Sequence, residues 1–157
     1  MSRHALRKKE RADLLGYLGS YSGTEIDEER VDIVDDSFLA NGEIFAFLVD
    51  GKPYLTIRGT IRHRPTRKLV VVDEGAVRFV SGGADVMAPG IVEADESIRA
   101  GDVVYIADEK NRRIIAVGRA LVDAEKMLEG RKDERKGKVI KSLHWVGDSV
   151  WRASSPQ

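Results

Sequence analysis

The sequence predicts an α+β protein: a small N-terminal α/β domain over residues 1–68, a small β barrel with two short helices over 69–152, and a tail at 153–157. Three observations carry this expectation. Leucines recur at helical spacing near the start, a β-hairpin signature follows around Asp50-Gly51, and short β-branched runs separated by turn residues fill the second half. The chain has 157 residues, 42% hydrophobic and 33% charged. That suits one ordinary domain or two small ones under a heavily charged surface.

Taken in order, Ser2 is placed to cap a helix running to about Leu18. Leu6, Leu14, Leu15 and Leu18 share one face, and Gly19-Ser20 would end it. Arg3, Arg7, Lys8 and Lys9 put the wrong sign at its N-terminal end, which suits either an anionic partner or a disordered start. The acidic stretch Glu25 to Asp36 reads as a loop or a short second helix. "EIFAFLV" and "YLTI" flank Asp50-Gly51-Lys52-Pro53, and Asp-Gly between such runs is a hairpin signal. A basic, proline-containing connector, "RHRPTRKL", closes the first domain.

In the second domain the expected strands are Leu69 to Val72, Val86 to Glu93, Val103 to Ala107, Ile114 to Val122, and Leu143 to Val146 with Val150-Trp151. Gly101-Asp102, Asn111 and Gly147-Asp148 punctuate them. The two short helices are Asp73 to Ser81 and Ala124 to Gly130. Asp73 suits an N-cap, and Gly82 falls where a left-handed C-cap belongs. Gly75 stands in the first turn of that helix, where glycine costs about 1 kcal/mol relative to alanine. A bare backbone there admits either a neighbouring strand or a ligand.

Few catalytic chemistries survive inspection. There is no Cys, which excludes disulfides and thiolate zinc sites. His4, His63 and His144 have no metal-ligand spacing. His144, between Leu143 and Trp145, is expected at solvent or at a barrel rim, and His63 within a basic patch. Gly82-Gly83 is followed by Ala84-Asp85 rather than the Lys-Ser or Lys-Thr of a phosphate-binding loop. The expectation is a protein that is not an enzyme, with no cofactor, no metal and no small-molecule substrate. No signal peptide and no apolar run of about 18 residues is present, so a cytoplasmic protein without a membrane partner is expected. Net charge is zero, but bases gather at Arg3–Arg11, Arg58–Lys68 and Arg131–Lys141 against the acids of Glu25–Asp36. A neutral total can hide a basic and an acidic face.

Across Leu69 to Val122 the ordered pieces Val71-Val72-Asp73, Gly75-Ala76, Gly83-Ala84, Pro89-Gly90-Ile91, Gly101-Asp102-Val103 and Ala116-Val117-Gly118 closely resemble a PUA domain, the RNA-binding pseudobarrel named for pseudouridine synthases and archaeosine transglycosylases. "KGKVIKSLHWVGDSVW" and the "VDGKP" hairpin are similar to archaeal PUA proteins related to the malignant-T-cell-amplified translation factors, which carry a pre-PUA domain before the PUA domain. The resemblance implies structured RNA, tRNA or rRNA, lying near Gly75, Arg78, Gly82, Gly83, Met87, Ala88, Pro89 and Gly90, with Lys138 and Lys141 beyond. Arg62, Arg64, Arg67 and Lys68 form a secondary basic patch. Arg78 lies on the polar side of its helix, free for phosphate or paired with Glu74 one turn back. Trp145 and Trp151 could stack on bases or anchor a core. The implied role is translation initiation or recycling, with the small ribosomal subunit and a translation-factor partner. Two alternatives stand beside it: an accessory subunit of RNA modification, and a protein-interaction adaptor docking through the acidic N-terminal segment.

Overall fold

A computed structural model describes residues 2–153. The chain divides into two compact units: one takes in the chain up to Thr66 together with the segment from Ser149, the other is Arg67–Asp148. Of the expected tail, 153–157, Ala153 is the last residue of a helix, and residues 154–157 lie outside the described residues.

The first unit is a meander, β1 (Arg3–Ala5), β2 (Asp32–Val34), β3 (Ser37–Ala40), β4 (Glu43–Val49) and β5 (Lys52–Leu55), paired antiparallel in that order. Helices α1 (Lys8–Ser22) and α2 (Ile57–Arg62) pack on it. The expected hairpin is β4–β5. Asp50 and Gly51 both take positive φ, 50° and 78°, which matches the turn twist to that of the strands. Leu14, Leu15 and Leu18 are buried where α1 packs on β5, and Phe45 and Leu55 are fully buried. Each such side chain contributes about 1.5–3 kcal/mol. Gly59 lets α2 lie directly on β4, since a Cβ there would fall 1.9 Å from the Phe45 carbonyl oxygen.

Several expected elements move. The first helix begins at Lys8 rather than Ser2. Residues Arg3–Ala5 pair with β2 instead, and Arg7 with Glu10 forms the cap. The helix also runs through Gly19-Ser20 to Gly23, whose φ of 71° ends it. The acidic stretch is loop, the first of its two expected readings, up to Val31 and then holds β2, with no helix. Val150-Trp151, expected as a strand, lies in α5 (Ser149–Ala153), which packs on β4 of the first unit. There the Trp151 ring supports the Arg58 guanidinium at 3.8 Å.

The second unit carries β6 (Leu69–Val72), α3 (Glu74–Val80), β7 (Val86–Met87), β8 (Ile91–Ala94), β9 (Val103–Asp108), β10 (Ile114–Ala120), α4 (Ala124–Met127) and β11 (Lys138–Trp145). The sheet order is β7-β11-β10-β9-β6-β8, antiparallel except for β6 beside β9. The expected single strand Val86 to Glu93 is broken by a 3-10 turn at Ala88–Gly90. The break sends β7 to one edge of the sheet and β8 to the other, and so closes the barrel. Proline at 89, with no amide to leave unpaired, suits the crossing. Val70, Val72, Ile91, Ile98, Ile106, Met127 and Ile140 fill the interior.

Candidate nucleic-acid interface

Where β6 ends, Asp73 starts α3. Its Oδ1 accepts the Ala76 amide at 3.0 Å, and its own amide donates to the Gly90 carbonyl at 2.9 Å. The N-terminal turn of α3 is thereby fastened to the Ala88–Gly90 crossing. Lys132 closes the same corner, its Nζ 2.6 Å from both Asp73 Oδ2 and the Pro89 carbonyl. Burial opposes the Asp73 charge, but the Lys132 ammonium and the Ala76 amide outweigh it and hold the carboxyl below its ordinary range.

Between α3 and the crossing lies a cleft of about 610 Å³. Gly75, Ala76 and Phe79 form one wall, Met87, Pro89 and Gly90 the other, with Asp85 and Lys138 at the end. Phe79 is 56% exposed and Met87 49%. Lys138 pairs with Asp85 at 2.9 Å. Asp85 also accepts the Ser142 amide at 2.7 Å, and that bond, then Lys138, holds its pKa below the ordinary value. Arg78 is exposed and makes no ion pair among the described residues, so the expected alternative of a Glu74 partner is not formed. Its guanidinium sits 4.9 Å from the centre of the Phe79 ring.

The glycines divide by role. Gly83, rather than Gly82, takes the left-handed conformation, with φ of 103°. A Cβ there would fall 2.8 Å from the indole of Trp145. Trp145 is packed against the core, so the loop after α3 rests flat on it. At Gly75 a Cβ would meet only Asp73 Oδ1, at 3.4 Å, an ordinary contact. No neighbouring strand requires this glycine, which leaves the ligand alternative.

A family model described as PUA domain matches residues 68–144. A solved conserved PUA domain protein from Thermoplasma acidophilum superimposes with a TM-score of 0.85 at 30% identity, over 98% of this chain and all of that one. The chain belongs to the PUA-domain family. An uncharacterised protein of Methanocaldococcus jannaschii is 46% identical over 124 residues, 78% of this chain and 74% of its own length. Translation machinery-associated protein 20 of Saccharomyces cerevisiae is 32% identical over 91 residues, 54% of this chain. The match spans 48% of the yeast protein, about half its length.

Within this PUA protein the expected contact residues separate. Gly75, Met87, Pro89, Gly90 and Lys138 line one cleft, with Arg78, Gly82 and Gly83 on its helix and the following loop, and Lys141 further along β11. Ala88 does not belong with them. It is buried at 4% exposure, with its side chain in the core. The secondary patch loses two members. Lys68 is buried, its Nζ 2.8 Å from Asp102 and 3.0 Å from the Ser97 carbonyl. Arg62 forks onto the buried Glu28 at 2.7 and 2.9 Å, beside His63 at 2.8 Å. Arg64 and Arg67 are exposed. His144, expected at solvent or packed at a barrel rim, is fully buried with Nδ1 2.9 Å from the Asp148 carboxylate. Phe79, Lys132 and Asp85 were not among the expected site residues. Phe79 had a readable signal: it is apolar yet off the Ala76, Val77, Val80 face.

No group of His, Cys, Asp and Glu among the described residues is placed to hold a metal ion. No described helix is long and apolar enough to cross a membrane.

Proposed function

We propose that this protein binds structured RNA, without catalysing a reaction on it, through the cleft beside α3. The observation that carries the reading is the bare backbone at Gly75. It weakens its helix, no protein atom fills the space, and it opens onto the cleft. Lys138 lines that cleft, Lys132 closes its Asp73–Pro89 corner, Arg78 stands on the same helix and Lys141 further along β11, and cations so spaced suit a phosphate backbone. Exposed Phe79 and Met87 give the same surface apolar area against which sugars and bases can pack.

The RNA we infer is a tRNA or ribosomal RNA, and the setting is translation initiation or recycling on the small ribosomal subunit. Similarity to a protein named for its association with the translation machinery supports that setting. The experiment is a comparison of tRNA, ribosomal subunits and plain duplex RNA by binding across a salt series. Affinity falling with salt, and falling sharply in Arg78→Glu or Gly75→Glu, supports the reading. Salt-insensitive binding, or variants that bind as the parent does, would overturn it.

A further inference from the structure

The stretch Glu25–Arg30 leaves its backbone unpaired. None of its N–H or C=O groups makes a hydrogen bond among the described residues, although Thr24 on one side and Val31 on the other do. The segment belongs to no helix or strand over Glu25–Glu28, and Glu28 itself is buried at 6% exposure. A folded domain ordinarily finds partners for such groups. The segment runs back along α1 and forms one wall of a groove of about 810 Å³. The other wall is the small-residue side of α1, Ala12, Gly16 and Gly19, with Leu15 and Ile26 supplying apolar floor and Lys8 and Arg11 lining it toward the helix N-terminus. Gly16 lies in the middle of a helix with nothing within 4 Å of where its Cβ would be. Nothing within the protein needs that position bare, while an occupant of the groove would.

The side chains of this segment alternate. Glu25, Asp27 and Glu29 face solvent, whereas Ile26 and Glu28 turn inward. None of the three outward carboxylates has a partner among the described residues. A backbone stretch with free donors and acceptors, and side chains that alternate in and out, offers a template for β-addition, and a comb of carboxylates on alternate residues selects side chains at the same two-residue period.

We propose that this groove is a docking site for an extended segment of a partner protein, added as a strand to Glu25–Arg30. The segment carries Lys or Arg at every second residue, opposite Glu25, Asp27 and Glu29, and small apolar residues between them, against Leu15 and Gly16. RNA is the disfavoured occupant, because the three outward carboxylates outnumber Lys8 and Arg11 around the groove and leave it net negative toward a phosphate backbone. The site lies in the first unit and does not depend on the cleft of the second.

The test uses the full chain, isotopically labelled for NMR, and the synthetic peptide Lys-Ala-Lys-Val-Lys-Ala-Lys. Binding is expected to shift the amide signals of Glu25–Arg30 and slow their hydrogen exchange. The same peptide N-methylated at alternate residues is expected to lose binding, since its backbone can no longer pair. A variant with Glu25→Lys, Asp27→Lys and Glu29→Lys, all at exposed positions, is expected to bind the parent peptide at least tenfold more weakly. The proposal is overturned if the peptide does not bind, if the N-methylated peptide binds equally well, or if these amides stay unshifted. It is also overturned if tRNA shifts them and competes with the peptide.

Discussion

The loop after α3 lies against the indole of Trp145 so closely that a Cβ on Gly83 would stand 2.8 Å from the ring. With a φ of 103° as well, the position excludes a side chain on two counts. Gly83→Ala is expected to destabilise the PUA domain by about 1–3 kcal/mol, from backbone strain and displacement of the ring. Urea unfolding monitored by tryptophan fluorescence reads this directly. Gly75→Ala is expected to do the reverse, raising stability by up to about 1 kcal/mol through helix propensity. If Gly75→Ala is destabilising by a similar amount, residue 75 is bare for packing and the cleft argument fails.

Arg78 tests whether phosphate meets the cleft. Its guanidinium is exposed with no acidic partner among the described residues, so its loss should leave folding alone. For Arg78→Ala the expected outcome is weaker RNA binding and a shallower dependence of log affinity on log salt, by about 0.7–0.9 in slope for one phosphate contact. Arg78→Lys should recover most of the slope. An unchanged slope in Arg78→Ala would remove this residue from the interface.

How far the sequence could be read depended on whether the deciding partner was local. Asp50-Gly51 announces its own turn and Asp73 caps its own helix, so β4–β5, β6 and α3 fall where expected. Strand β1 is three residues long and exists only through pairing with β2, more than twenty positions away; no periodicity can show that. Val150-Trp151 has β propensity, yet docking on β4 makes it a helix. The same distinction governs the site. Gly75 and Arg78 are visible because their own helix makes them anomalous. The burial of Lys68 needed Asp102 and Ser97, and the burial of His144 needed the turn that returns Asp148 to it.

Glu28 is held charged inside the first unit. Desolvation opposes the charge, but Arg62 and His63 hydrogen-bond to it and bring its pKa below the ordinary value of 4.5. A carboxyl with a depressed folded pKa adds stability above 4.5 and gives it up as the pH falls below that value and through the folded pKa. Glu28→Gln is therefore expected to cost about 2 kcal/mol at neutral pH. The difference from the parent should narrow as the medium is acidified below the ordinary carboxylate range. Arg62→Ala should show a similar loss of stability while binding RNA as the parent does at temperatures where both are folded. Weakened RNA binding in a folded Arg62→Ala protein would restore this arginine to the basic patch.

Asp85 makes the least intuitive prediction. It sits in the cleft with the wrong charge for RNA, and it occupies Lys138 at 2.9 Å while accepting the Ser142 amide at 2.7 Å. Its lowered pKa keeps it ionised throughout the neutral range, so a phosphate must compete with it for Lys138. Asp85→Asn retains an oxygen for the Ser142 amide but releases the ammonium. The variant is expected to lose about 1 kcal/mol of stability from the weakened hydrogen bond. It is expected to bind tRNA more tightly than the parent at low salt, with the gain fading as salt rises. Adding Lys138→Ala should abolish the gain, because the freed cation is its source. If Asp85→Asn binds more weakly in a folded protein, the carboxylate positions Lys138 for the RNA rather than competing with it, and the order of events at this end of the cleft is the opposite of the one argued above.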